Sequence, residues 1–391
     1  MEFTRGTNKN EPVVLSKVDD YDVGLIESAV REELRLLGLS ELFRGKKVVI
    51  KPNLVMKKSP DAAATTHPAI LEAMIRILKD SAASITIAES PPGLYTESAL
   101  KGFYNACRVT GVAEKYGVHL NSDTTSRQIS FPDAKTSHTF ELITPLLDAD
   151  IIVDLAKLKS HALTGFSGAV KNFFGAIPGL MKVETHASFP DYNDFGSMLV
   201  DLCGYFASEK PVFSLLDGIV AMEGNGPTGG EPRKLGCLVA GMNPFNVDVV
   251  GADIAGLSGI IMLEEAKRRG YASESPIILG DNIENVRVND FKKPDSAGGG
   301  VSALKFLSTA FDGRLYKWLG SRPVVDPKIC VGCGECARSC PKATISLEEG
   351  NGRRHAKINP DDCIKCYCCQ ELCPVKAVRI KKNPIMKLFG G

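Results

Sequence analysis

Nine of the twelve cysteines in this 391-residue chain crowd into one stretch, Cys330 to Cys373. Eight of them form two equal runs. Cys330, Cys333, Cys336 and Cys340 precede Pro341; Cys363, Cys366, Cys369 and Cys373 precede Pro374. Each member of the second run lies 33 residues after its counterpart, and Pro327/Pro360 and Ile345/Val378 keep the same offset. A duplicated unit of this kind predicts two halves packed about a pseudo-two-fold axis. Three thiolates at intervals of three residues wrap a tight loop around one iron cubane. The fourth, just before proline, points away and reaches the cluster of the other half. The spacing therefore assigns Cys330, Cys333, Cys336 and Cys373 to one [4Fe–4S] cluster, and Cys363, Cys366, Cys369 and Cys340 to a second. Zinc needs only four ligands, typically in two separated pairs, and fits two evenly spaced quartets poorly.

These runs resemble bacterial-type two-cluster ferredoxins, over roughly the last 65 residues. The resemblance implies one-electron transfer at low potential and an external redox carrier or reductase as partner. Cys368 is a ninth cysteine the pattern does not use, read as a buried bystander thiol. The hairpin Glu348 to His355, turning at Asn351-Gly352, is longer than a minimal ferredoxin requires. From Arg322 onward there are 13 basic and 7 acidic residues, whereas the rest of the chain holds 34 and 39. Two oxidised cubanes, each carrying about −2, offset much of that basic excess. A cluster module of this charge, fused to a large body, reads as a built-in relay that docks an acidic carrier.

The body has its own conspicuous residues. Leu158 to Gly179 is rich in glycine and carries Lys159, His161, Lys171 and Asn172; Asp217 to Gly230 carries Glu223 and Asn225. Both stretches read as loops following a strand, where glycine permits close approach of a ligand and its amides hold anions. The cationic and amide side chains point to an anionic or carboxylate-bearing small molecule. With Lys51-Pro52-Asn53, and Asn243-Pro244 before Asp248, these stretches resemble the family catalogued as domain of unknown function 362, over most of residues 45 to 255. The resemblance makes Lys51, Asn53, Lys159, His161, Lys171, Asn172, Glu223, Asn225 and Asp248 the matching positions. His161 and Glu223 are read as proton donors or acceptors, and Lys51, Asn53, Lys159, Lys171, Asn172 and Asn225 as ligand contacts. His67 and His186 carry structural and functional readings alike, and Cys107, Cys203 and Cys237 read as ordinary buried thiols.

Several familiar chemistries drop out. Gly224-x-Gly226-x-x-Gly229 matches the dinucleotide fingerprint in letters, but Pro227, Gly230 and Pro232 oppose the helix that must receive a pyrophosphate. There is no phosphate-binding loop ending in Gly-Lys-Ser/Thr, and Ser167 lacks a nucleophile-elbow context. A formal charge of +1 gives no reason to expect nucleic-acid binding.

The elements that must position these groups alternate in type. Val48–Lys51, Ile85–Ala88, Ile151–Leu155, Val212–Leu216 and Leu238–Ala240 read as buried strands. Pro68–Leu78, Ser197–Phe206 and Val247–Arg269 carry helical apolar spacing. The pattern predicts an α/β body with a largely parallel sheet and a small α+β ferredoxin-like C-terminal domain. Predicted units are residues 1–290, a linker with an amphipathic helix (Leu304, Leu307, Phe311, Leu315, Trp318) over 291–321, and a cluster module over 322–391. Val247 to Leu263, the most apolar long run, contains Asp248, Asp253 and three glycines and is a poor membrane span. The polar N-terminus and the cysteine distribution point to a reducing, cytoplasmic setting.

Three functions fit these observations. The first is an iron–sulfur oxidoreductase passing electrons to an anionic ligand in the body. The second is a non-enzymatic electron carrier docking larger redox partners. The third is a non-redox isomerase or racemase whose clusters are structural.

Overall fold

The computed structural model describes residues 7–296, 321–350 and 352–382. The amphipathic helix expected over Leu304–Trp318, the linker glycines Gly298–Gly300 and the turn residue Asn351 lie outside the described residues. The chain begins with β1 (Val13–Lys17), α1 (Val23–Leu36), β2 (Lys47–Pro52), α2 (Pro68–Lys79) and β3 (Ser84–Ile87). Two helices, α3 (Glu97–Ala106) and α4 (Val109–Tyr116), lead to β4 (His119–Leu120). An outlying hairpin, β5 (Ser126–Ser130) and β6 (Thr139–Ile143), and the single turn α5 (Thr144–Leu147) precede β7 (Ile151–His161). Next come β8 (Gly165–Ser167), α6 (Ala169–Asn172), α7 (Met181–Ser188) and α8 (Tyr192–Glu209). Two long strands, β9 (Val212–Glu223) and β10 (Glu231–Gly241), are followed by α9 (Pro244–Ile254), α10 (Ile261–Arg268) and β11 (Ile278–Gly280).

Nine strands form one sheet in the order β11-β1-β10-β9-β7-β2-β3-β4, with β8 paired to β7. The run β9-β7-β2-β3-β4 is parallel throughout, while β10 lies antiparallel to both its neighbours. Side chains alternate between two cores. On β7, Ile152, Ala156 and Leu158 join one core, whereas Ile151, Val153 and Leu155 join the other. A strand buried on both faces reads as a continuous apolar run, which is why these strands are legible.

Their ends are not. The strand expected to stop at Leu155 continues to His161, and the one expected to stop at Leu216 continues to Glu223. Lys159, His161 and Glu223 therefore lie on strands rather than in loops. The polar tails of β7 and β9 stay extended because their side chains find buried partners at the sheet's end. The helix expected over Val247–Arg269 is two helices, parted where Gly256 and Gly259 take φ of +60° and +68°.

The C-terminal module contains β12 (Arg322–Val325), α11 (Glu335–Arg338), β13 (Ile345–Gly350), β14 (Arg353–Ile358), α12 (Cys368–Glu371) and β15 (Val378–Lys381). β12 pairs with β15 and β13 with β14, all antiparallel. The 33-residue repeat is written into the backbone. α12 starts 33 residues after α11, and the left-handed residues Gly332, Gly334 and Ala343 recur as Lys365, Tyr367 and Lys376. Holding all three of these turns without glycine in the second half, where the first half has glycine at two, is a steric cost that the wrapping of the cysteine loops imposes.

Two buried acids of the body give testable consequences. Asp248 of α9 accepts the backbone N–H groups of Ala169 and Val170 at 2.6 and 2.9 Å, fixing the start of α6. Asp248→Ala leaves both amides unpaired and is expected to cost about 1–3 kcal/mol in chemical denaturation. On α1, burial raises the Glu33 carboxyl from 4.5 to about 8, with the Ser16 hydroxyl offsetting only part. Between those values the folded state keeps a proton that the unfolded chain releases, so stability falls as pH rises through the window. Glu33→Gln removes that slope; thermal melts between about pH 5 and pH 8 should show a smaller loss of Tm than in the parent chain.

Candidate functional site

The parallel strands β3, β2 and β7 end side by side, and the chain leaves β2 for β3 on one side while β7 pairs on the other. Such a reversal opens a crevice beyond the strand carboxyl ends. Lys51 at the end of β2, Asn53 after it, Glu89 after β3 and Lys159 near the end of β7 all meet there. Along β7 and β9 the register jumps from Lys157↔Asp217 to Lys159↔Met222, a bulge at the point where β7 enters the site. α6 adds Lys171 and Asn172, and α7 adds Lys182.

A buried hydrogen-bond chain holds the floor. Lys51 Nζ lies 2.5 Å from Glu89 Oε2. Lys159 donates to Asn53 Oδ1 at 2.8 Å and to the Ala64 carbonyl at 2.9 Å. Asn53 Nδ2 donates to Asn172 Oδ1, and Asn172 Nδ2 donates to Asp154 Oδ1 at 2.6 Å. Lys182 donates to the Ser90 carbonyl at 2.7 Å, to Ser90 Oγ and to the Ile177 carbonyl. Lys171 has no hydrogen-bond or ion-pair partner among the described residues; its Nζ lies 5.3 Å from the Phe174 ring centre. Burial lowers Lys159 and Lys182 to about 7, with Lys171 adding to it in Lys159. It lowers Lys171 as well, against the pull of Glu371 and Cys368. It raises Asp154 to about 7, Lys51 pulling the other way.

Asn53, Glu89, Ser90, Lys159, Lys171, Asn172 and Lys182 line an open cavity, about 690 Å³ counted with the solvent at its mouth, and Cys368, Glu371 and Leu372 of the cysteine module form a further wall. Apolar lining includes Leu54, Val55, Phe174 and Val183. The module is held there by the turn between β9 and β10. Gln370 Nε2 donates to the Asn225 carbonyl at 2.9 Å, and Thr228 Oγ1 donates to the Glu371 carbonyl at 2.6 Å.

Of the residues expected at the site, Lys51, Asn53, Lys159, Lys171 and Asn172 come together. Glu223 and Asn225 do not. Glu223 accepts the Lys292 amide and pairs with its ammonium at 3.2 Å, while Asn225 exchanges hydrogen bonds with Asp295. They fasten the segment leading to the module. His161 is buried behind the wall; its Nδ1 accepts from the Leu163 and Thr164 amides, so Nε2 carries the proton, 3.8 Å from Glu371 Oε2. Desolvation and then the charges of Lys171 and Lys159 keep its imidazole neutral. His67 caps α2, and His186, stacked on Phe195, is pushed down to about 3 by burial. Cys107, Cys203 and Cys237 are buried.

Within the module, a second cavity of about 330 Å³ is lined by Cys330, Cys333, Cys336 and Cys373, three from one run and the last from the other. Burial raises the Cys369 thiol, and Cys366, Cys363, Cys336 and Cys340 act on it at close range. Backbone amides donate to sulfur: Ala356 to Cys330, Ala377 to Cys373 at 3.1 Å, and Thr344 to Cys340. Buried sulfurs that resist ionisation on their own, surrounded by amide donors, fit iron, which holds them as thiolates. Cys368 is buried, and its contact with Cys366 lowers the latter's pKa.

Sequence reasoning missed Glu89, Ser90, Lys182 and the contribution of the module itself. Glu89 carried one usable signal, its place just past a strand in the same sheet as Lys51. Lys182 carried none, because only the fold of α7 brings it to Ser90.

A family model described as a domain of unknown function (DUF362) matches residues 48–253, and one described as a 4Fe-4S dicluster domain matches residues 329–377. A thylakoid-associated protein of Synechocystis sp. is 32% identical over 250 residues, covering 62% of this chain and 74% of that protein. A ferredoxin of Pyrobaculum islandicum is 37% identical over 57 residues, covering 15% of this chain and 50% of the ferredoxin. The lactate racemase apoprotein of Thermoanaerobacterium thermosaccharolyticum aligns with a TM-score of 0.39 and 15% identity, over 66% of this chain and 59% of that one. With the first model spanning more than half of its residues, the chain belongs to the DUF362 family, and its C-terminal ferredoxin-like domain carries two [4Fe–4S] clusters.

Proposed function

We propose that the chain is an iron–sulfur oxidoreductase in which the lysine-lined cavity holds a small anionic ligand at the end of an electron path. The observation that carries this is the shared wall: α12, which contains Cys369 and lies between Cys366 and Cys373, supplies Cys368 and Glu371 to the same cavity as Lys159 and Lys171. The clusters supply one-electron transfer. Cys330, Cys333, Cys336 and Cys373 hold one, and Cys363, Cys366, Cys369 and Cys340 hold the other. The working units are residues 1–290, 291–321 and 322–391. The concentration of nine cysteines in the cluster module, with three scattered through the body, supports a reducing, cytoplasmic setting.

The chain's own groups divide the work. Lys171 and Lys159 attract and orient the anion. Lys51 with Glu89, and Asn53 with Asn172, hold that pair in place. His161, neutral and aimed at Glu371, positions the acid that faces the ligand. Electrons enter on the far side of the module, where Cys333 is exposed and Ile329, Val331 and Val375 present apolar surface. Arg338 donates to the Cys333 carbonyl and pairs with Glu335 at 2.7 Å, so the attraction for an acidic carrier rests on the basic excess of the module, 13 basic to 7 acidic residues from Arg322 onward.

Anaerobically isolated protein should contain about eight irons and eight inorganic sulfides per chain. After reduction, candidate anions are screened for re-oxidation of the clusters by absorbance. Acceleration by a bound anion is expected, and Lys171→Met should reduce it about tenfold or more while cluster absorbance is unchanged. Clusters that reduce normally but are never re-oxidised faster by any bound compound would leave the chain a carrier between proteins.

A further inference from the structure

The donors left over in the cavity define what it can hold. An ammonium has three N–H donors. Lys182 spends all three on Ser90 and Ile177, and Lys159 spends two on Asn53 and Ala64. Lys171 spends none on any described acceptor, although it is only 9% exposed. Among the ammonium groups that line the cavity, the free donors are therefore those of Lys171 and one of Lys159.

We propose that the cavity takes an amphipathic carboxylate, with its head between Lys171 and Lys159 and its apolar body along Leu54, Val55, Phe174 and Val183. This rests on the cavity being a ligand site, and it goes further by naming the ligand's chemistry. Three observations favour a single carboxylate over a phosphate. The amides of Ala169 and Val170, which open α6 beside Lys171, are already taken by Asp248. No arginine is among the described residues that line the cavity. Glu89 and Glu371 stand on the same walls and oppose a second negative charge.

The apolar body is argued from the opposite side. Leu54, Val55, Phe174 and Val183 share the walls with the lysines, and a bare carboxylate would leave these side chains facing water, whereas small-molecule sites set a few polar groups in a mostly apolar lining. The lining does not stop at the mouth. Pro92 and Gly179 belong to it, and the residues that follow, Leu94, Leu180 and Met181, are exposed at 65%, 44% and 36%. The two loops touch: a Cβ on Gly179 would lie 2.3 Å from the Gly93 carbonyl oxygen. An apolar track thus leads from the cavity onto the surface, and a tail longer than the cavity has somewhere to lie.

The test is calorimetric titration of the full-length protein, isolated without oxygen, clusters oxidised and no electron donor present. Octanoate is the probe; acetate, 1-octanol and octyl phosphate are the comparisons. Octanoate is expected to bind saturably, and each comparison about tenfold more weakly or worse. Lys171→Met should weaken octanoate about tenfold, Lys171→Arg should restore most of the affinity, and Val183→Trp should block binding with both lysines intact. Iron content and Tm report whether each variant is folded. The proposal is overturned if octanoate does not saturate, if octanol or octyl phosphate binds as well, or if Lys171→Met leaves affinity unchanged. Because no electrons flow in this experiment, its failure is separable from failure of the oxidoreductase reading. Octanoate-like binding with no re-oxidation by any bound carboxylate would sink that reading and leave the ligand class standing.

Discussion

Among the described residues, Lys171 holds an ammonium out of water with no hydrogen-bond acceptor, and Lys159 and Lys182 donate to neutral oxygens. Desolvating a cation without a counter-charge is costly, and the cost appears here as depressed proton affinity in all three. Much of the surrounding structure follows from managing it. Glu89 neutralises Lys51, and a run of amides and a serine carries hydrogen bonds from Lys159 down to Asp154 and Ser214. The glycines of this region serve that packing. A Cβ at Gly175 would lie 2.0 Å from Glu89 Oε1 and 2.6 Å from Lys51 Nζ. The glycine-rich run therefore brings protein against protein, as at Gly175 between Glu89 and Lys51.

The two halves of the cysteine module have diverged in a way that matches their surroundings. In the first half the left-handed position before the helix is Gly334, and Val331 and Cys333 nearby face solvent. The equivalent position in the second half is Tyr367, at φ +60°. A tyrosine tolerates that conformation poorly, but its ring packs with Ala162 and Ile380, and its hydroxyl donates to the Ser321 carbonyl at 2.9 Å. The half that bears more of the backbone strain, three non-glycine left-handed residues against Ala343 alone, is the half that is locked to the body. Duplication supplied two equivalent cluster loops; the contacts make one of them face the cavity and the other face outward.

Legibility in the sequence tracks the physical origin of each feature. The buried strands of the parallel sheet and the amphipathic α2 were readable, since apolar runs and helical spacing are local signals. The cysteine repeat was readable because iron coordination fixes its spacing. The strand ends were not: Lys159, Ser160 and His161 look like a loop, and they stay extended only because β8, β9 and the buried acceptors lie alongside. Glu223 and Asn225 had the right chemistry for a ligand site, but strand direction sends them toward residues 292–295. The cavity itself combines residues from five separated stretches of chain, so no window of sequence contains it.

That displacement explains why so polar and glycine-rich a turn joins β9 to β10. Asn225 grips Asp295 through both side-chain atoms, and its carbonyl receives Gln370 of α12. Asp295 in turn receives Ser321 on its carbonyl and Lys382 on its carboxylate, so both ends of the inter-domain connection meet at one residue. Gly226 and Gly229 have no room for a side chain, lying against the Ser160 carbonyl and Gln370. The pattern that mimics a dinucleotide fingerprint is thus a mounting for the cluster module. A turn that fixes the module's start and its cavity-facing helix together sets where α12 meets Lys171, independently of the chain that links the two domains.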